Sequence, residues 1–117
     1  MYDAGKGVIR KAKADDYREA VYMLTSIIPL GKTTTYGSIA RILGISPRLV
    51  GRLLAENDNP IKVPCHRVIK SNGDIGEYTP GGKDVKKKLL ALEGVIFSDH
   101  YKVSRESIID IKEIVDP

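Results

Sequence analysis

Apolar positions recur at helical spacing from Asp15 or Asp16 onward, where Tyr17, Ala20, Val21, Leu24, Ile27 and Ile28 share one broad face. Acidic residues at the start of this run suit the positive end of a helix, and Pro29 stops it or lies just beyond its last turn. After the connector Leu30-Gly31-Lys32, a second helix is expected to begin near Thr34 or Thr35, whose hydroxyl can cap free amides. It runs through Tyr36, Ile39, Ala40 and Leu43 to Gly44. Ser46-Pro47 opens a third helix, because serine caps and proline needs no amide partner at the first helical position. Leu49, Val50, Leu53 and Leu54 point inward along it, and it ends near Asn57. Two short helices about Gly44-Ile45 form a helix-turn-helix pattern over approximately residues 35–57.

Asn57-Asp58-Asn59-Pro60 is a polar turn that leads through Ile61-Lys62-Val63 into Pro64-Cys65-His66-Arg67-Val68. Val68-Ile69 and Asp74-Ile75 flank Asn72-Gly73, a pair suited to positive φ, so a small hairpin is expected there. Gly76, Pro80, Gly81 and Gly82 frame a loop containing Tyr78 and Thr79. A further helix from Lys83 to Leu92 is expected to bury Val85, Leu89 and Leu92 and to display Lys86, Lys87 and Lys88, with Glu93 in its last turn before Gly94. The tail suggests a short hairpin around Tyr101 to Ile111, and the alternation over residues 8–13 is too brief to assign. The fold class is mainly α with small β-hairpin elements.

A chain of 117 residues, 42% hydrophobic, fits one domain over residues 1–117. Residues 1–92 hold 16 of the 19 Lys/Arg and 9 of the 15 Asp/Glu, a balance of +7, while residues 93–117 carry −3. Such a basic surface attracts a polyanion such as nucleic acid, although basic residues also simply solubilise small domains. Met1 to Gly7 include Asp3 and lack an apolar core, and no later run approaches the ~20 apolar residues of a membrane span. Neither export nor membrane insertion is expected.

The single cysteine cannot form an intramolecular disulfide, which suits a reducing compartment. Cys65 with His66 and the distant His100 lacks the four-ligand spacing of a zinc site, so no metal is expected. A thiol nucleophile needs less: a base to take its proton, an acid to orient that base and positive surroundings, which His66, Arg67 and Lys62 begin to supply. On these residues alone, an inert buried cysteine is an equal reading. Arg41, Arg48 and Arg52 on the helix-turn-helix could likewise face a polyanion or merely water.

The run Ile61-Lys62-Val63-Pro64-Cys65-His66-Arg67-Val68-Ile69, with Asn57 before it and Asn72-Gly73 and Gly76-Glu77-Tyr78 after it, closely resembles the active-site region of the O6-alkylguanine-DNA alkyltransferases. The resemblance extends back through Ile28-Pro29-Leu30-Gly31, Thr35-Tyr36-Gly37-Ser38-Ile39-Ala40 and Arg48-Leu49-Val50-Gly51, and forward to Lys86 and Leu89-Leu90-Ala91-Leu92-Glu93-Gly94. It implies a winged helix-turn-helix-like alkyltransferase domain in which Cys65 accepts an alkyl group from guanine O6 irreversibly, as a single-turnover methylated-DNA–protein-cysteine S-methyltransferase. His66 would be the water-mediated base and Glu93 the acid that orients it. Tyr36 and Lys86 would be donors to the departing guanine, and Asn57 the hinge tying the recognition helix to the active-site turn. Arg48 would fill the stack vacated by a flipped base, with Thr35, Tyr36, Gly51 and Arg52 also at the DNA, approached from the minor groove. Val68, Tyr78 and Thr79 would line the substrate pocket.

Full-length relatives carry an added amino-terminal domain for which this chain has no room, and its size resembles the alkyltransferase-like proteins. Those bind alkylated guanine and recruit repair factors but lack the reactive cysteine that Cys65 supplies here. Direct repair is therefore the reading, and a lesion sensor without transfer, with a repair-protein partner, is the alternative; a plain helix-turn-helix regulator is a third class. The resemblance further implies a monomer acting on double-stranded DNA containing O6-alkylguanine, without cofactor or membrane, cytoplasmic and DNA-associated.

Overall fold

A computed structural model describes residues 2–3, 8–9 and 14–116. A short antiparallel pair, β1 (Tyr2–Asp3) and β2 (Val8–Ile9), precedes helix α1 (Ala14–Ser26). Residues 10–13, the rest of the alternating run, lie outside the described residues. α1 buries Val21 and Leu24, and just past its end Ile28 is also buried, whereas Ile27 turns partly outward. The chain then forms β3 (Thr33–Thr35), α2 (Tyr36–Leu43) and α3 (Pro47–Ala55). Thr35 Oγ1 accepts from the Ser38 amide at 3.0 Å, and Ser46 Oγ accepts from the Leu49 amide at 3.1 Å, so each helix of the pair has the hydroxyl cap its sequence predicts. Between them Gly44 takes φ +68°, a left-handed conformation open to glycine at little cost, and its amide closes α2 on Ala40 O.

Of the two starts expected for α2, Thr34 lies inside a strand, whereas Thr35 ends that strand and caps the helix. β3 is the centre of a three-stranded parallel sheet, flanked by β4 (Val68–Ile69) and β7 (Ile108–Ile109). Three successive β-branched residues suit that strand, and the buried hydroxyls of Thr33 and Thr34 donate to Ser107 O at 2.9 Å and Ile109 O at 2.7 Å. The turn expected at Asn72-Gly73 forms, with Gly73 at φ +93°, its amide donating to Lys70 O at 3.0 Å and the Lys70 amide to Asp74 O at 2.9 Å; the flanking pairing differs, since Val68–Ile69 pairs in parallel with β3 and Asp74 bridges to Lys102. In the tail the hairpin lies earlier than Tyr101 to Ile111: β5 (Phe97–Asp99) pairs with β6 (Lys102–Val103), and a 3₁₀ turn at Arg105–Ser107 then carries the chain to β7. A short helix, α5 (Lys112–Val115), follows.

Helix α4 (Lys83–Leu92) turns a different face inward from the one its pattern suggests. Lys86 and Leu90 are buried, while Val85 is 38% and Leu92 84% exposed. The lysine expected in solvent is inside because backbone carbonyls receive it: Lys86 Nζ donates to Val68 O at 2.9 Å and to Glu77 O at 3.4 Å.

Two apolar clusters meet at β4. Val68 joins Val21, Ile28, Ile39, Val50 and Leu53 between the first three helices, whereas Ile69 joins Ile75, Leu90, Val95 and Val103 under α4 and the hairpin. Adjacent residues of a strand face opposite sides, so this one dipeptide anchors both. Burying each such side chain contributes about 1.5–3 kcal/mol. The segment just before β4, which holds the cysteine, is thereby fixed between two packed layers.

Candidate active site

Pro64 leads into a 3₁₀ turn, Cys65–Arg67, at the amino end of β4. The amide of Cys65 donates to Val63 O at 2.7 Å, and that of Arg67 to Pro64 O at 3.0 Å, so the turn is tightly wound. A 3₁₀ turn spreads three consecutive side chains around its axis. Cys65, only 8% exposed, lines a cleft of about 250 Å³, while His66 and Arg67 turn toward Glu93 at the end of α4.

There His66 Nε2 lies 2.9 Å from Glu93 Oε2. Arg67 grips the same carboxylate with two nitrogens, Nε to Oε1 at 2.9 Å and Nη2 to Oε2 at 3.0 Å, and its Nη1 donates to Ile28 O at 3.0 Å. Burial pushes the Glu93 carboxyl up, but the hydrogen bonds from Arg67 and His66 outweigh it and hold the group below the usual range. An ionised carboxylate only accepts, so Nε2 carries the ring proton. Nδ1 is left as an unprotonated nitrogen, buried and without a protein hydrogen-bond partner. Burial outweighs the attraction of Glu93 and lowers the His66 pKa, so the ring is neutral at neutral pH.

Tyr36, Gly51, Asn57, Tyr78, Thr79 and Lys86 line the same cleft as Cys65. Tyr36 is the first residue of α2, placed by the Thr35 cap, and burial, with negative charge at Cys65 second, raises its pKa to about 12. Burial lowers that of Lys86 to about 8, although Cys65 opposes the shift. Asn57 Nδ2 donates to Val63 O at 2.8 Å while its Oδ1 accepts from the Asn59 amide at 3.0 Å, joining the end of α3 to the cysteine turn. An ideal Cβ on Gly51 would stand 3.8 Å from the Tyr36 ring, in ordinary contact.

The remaining candidates fall elsewhere. Arg48 and Arg52 are exposed on α3. Val68 is fully buried in the helical core and is not among the residues that line the cleft; its carbonyl holds Lys86, which does line it. The twofold grip of Arg67 on Glu93 is not visible along the sequence, where Arg67 is only a positive neighbour of the cysteine. The signal available was a glutamate bound for a helix end beneath the core, which needs a cation close by. Lys70 and Glu77 also line the cleft unanticipated. Among the described residues, no group of three or more His, Cys, Asp or Glu side chains is placed to hold a metal ion, and no helix is long and apolar enough to cross a membrane.

Residues 16–95 match the family described as 6-O-methylguanine DNA methyltransferase, DNA binding domain. The methylated-DNA–protein-cysteine methyltransferase of Pyrobaculum aerophilum is 52% identical over 84 residues, 71% of this chain and 56% of that protein. This chain thus spans about half the length of the methyltransferases it matches. Among solved structures, S. pombe Atl1 in complex with damaged DNA containing O6-carboxymethylguanine superposes with a TM-score of 0.74 at 32% identity, over 84% of this chain and 98% of that one. Mycobacterium tuberculosis OGT in complex with DNA gives 0.63 at 38% identity, over 73% of this chain and 52% of that one.

Proposed function

Because this chain belongs to the 6-O-methylguanine DNA methyltransferase family, we propose that it repairs DNA directly, moving an alkyl group from guanine O6 to Cys65 in a single turnover. The observation that carries this reading is a cysteine lining an open cleft, followed in the chain by a neutral histidine locked on a glutamate. In the proposed step the sulfur of Cys65 bonds to the alkyl carbon as the bond from that carbon to O6 breaks, and the electron pair leaves with guanine. The thiol proton passes through a water to Nδ1 of His66, and Glu93 stabilises the imidazolium that forms. The departing base gains negative charge and needs donors. Tyr36, protonated up to about 12, can supply one, and Lys86 with a pKa of about 8 can supply a second. The thioether is a poor leaving group, so each protein molecule acts once.

A base stacked in duplex cannot reach a thiol in this cleft, so the nucleotide must flip out at a cost of a few kcal/mol. We assign Arg48 to the vacated stack, where a planar cation can both stack and hydrogen-bond. Gly51 and Arg52 then lie on the face of α3 toward DNA, with Thr35 beside Tyr36 at the start of α2. Tyr78 and Thr79 wall the alkyl group, Val68 supports that wall from the core, and Asn57 keeps α3 in register with the cysteine turn. The partner is double-stranded DNA carrying O6-alkylguanine, bound by a monomer.

Lesion binding without transfer is the second reading, favoured by the likeness to S. pombe Atl1 over 98% of that chain. Intact-protein mass spectrometry separates the two. Incubation with duplex DNA containing O6-methylguanine should replace one thiol proton by one methyl group, on the peptide containing Cys65, at one per molecule. Tight lesion binding with an unchanged protein mass would overturn transfer and leave the sensor.

A further inference from the structure

On the reading that this chain binds duplex DNA, we propose that residues 104–111, beyond the stretch matching the family, extend its DNA-binding surface, and that Arg105 and Arg41 contact phosphates of the strand there. The site is a polar groove of about 590 Å³ whose walls are the start of α2, the turn at Ser71-Asn72-Gly73 and the tail. It adjoins the cleft. Thr35 and Ser71 line the groove while their chain neighbours Tyr36 and Lys70 line the cleft, and an ideal Cβ on Gly37 would come within 3.2 Å of Ser71 Oγ. In this proposal a nucleotide with its base in the cleft carries its backbone at this boundary, and the groove offers the continuing strand hydroxyl and amide donors from Thr35, Ser71 and Asn72.

The far wall is rigid. Besides the β3–β7 ladder and the two threonine hydroxyls, Ser38, 2% exposed, donates to Asp110 Oδ1 at 3.1 Å and accepts from the Ile111 amide at 2.7 Å. Arg105 stands exposed in the 3₁₀ turn of that wall, a cation within a segment whose balance is acidic. Asp110 is the groove's one acidic group among the described residues, and it is already engaged by Ser38, by the Lys112 amide at 3.1 Å and by Arg41 at 3.7 Å. Arg41 and Arg105 against Asp110 leave the groove net positive, and guanidinium groups match phosphate in shape as well as charge.

The test is equilibrium binding of the whole chain to a duplex holding one O6-methylguanine, across a salt series, for wild type, Arg105→Gln, Arg41→Gln and the double variant. Lys88→Gln, exposed on α4 and lining neither cavity, serves as the control for bulk charge. Each groove substitution should make log K less steep in log salt by about 0.9 and weaken binding about fivefold near physiological salt, with the control unchanged. A double variant that keeps the wild-type slope while binding the lesion overturns this inference and leaves the proposed function standing. Wild type that does not bind the duplex overturns both.

Discussion

The relay at the end of α4 and the exposed face of α3 carry charge in opposite ways. In the relay, His66, Arg67 and Glu93 side chains are 8%, 15% and 17% exposed, and each is held by the others or by backbone. On α3, Arg48 and Arg52 project into solvent. A buried charge must have its partners before any substrate arrives, since its desolvation would otherwise cost several kcal/mol. An exposed arginine pays nothing for waiting and can meet its partner in another molecule. The first arrangement fixes one proton on one nitrogen; the second leaves geometry to be set on binding. On the proposed function, the protein thus prepares its chemistry in advance and its recognition on contact.

Four measurements bear on that contrast. Arg67→Ala should have the largest effect, removing about 3 kcal/mol of stability in urea or thermal denaturation and slowing transfer, because Glu93 keeps its charge with half its partners gone. A variant as stable as wild type would show that the relay is no better organised than a surface pair.

Next is the pH dependence from Lys86. Its pKa is about 8 folded against 10.5 ordinarily, so between these values the unfolded chain binds more protons and stability rises with pH. The gain should reach about 2 kcal/mol from about pH 8 to about pH 10. Tyr36 opposes it only above its ordinary 10.0, where the unfolded phenol ionises first. Lys86→Met should flatten the rise; a rise that survives the substitution would place its source elsewhere.

Arg48→Ala tests the other side of the comparison. Lesion binding should weaken about tenfold, about 1.4 kcal/mol, while stability stays within about 0.5 kcal/mol of wild type. A loss of stability instead would make Arg48 a structural residue. Gly51→Ala should act least. The added Cβ has room beside Tyr36, so helix propensity should raise stability by about 0.5 kcal/mol. DNA affinity should fall all the same if α3 approaches its ligand closely there, and unchanged affinity would remove Gly51 from the interface.

Much of this was legible along the chain because it is local. Thr35, Ser46 and Gly44 bracket their helices by hydrogen bonds and dihedrals that span only a few residues. The long-range elements were not legible. Thr34 reads as one of two helix starts until β4 and β7 pair on either side of its strand, from 34 and 75 residues away. Lys86 reads as a surface lysine until the carbonyls of Val68 and Glu77 converge on it. The Cys65-His66-Arg67 run and Glu93 pointed to their chemistry through family resemblance, yet nothing local says that His66 and Arg67 would share one carboxylate.

The order of residues by itself thus determined helices α1 to α4, the caps of α2 and α3, the glycine turns and the presence of a cysteine beside a histidine, since each depends on neighbours a few bonds or one helical turn away. Tertiary structure alone decided which face of α4 is buried, which nitrogen of His66 stays unprotonated and how β7 completes the sheet. Those outcomes depend on groups that meet only when distant segments pack, where low dielectric and the demand to satisfy every buried polar atom select among arrangements that a linear pattern leaves equal.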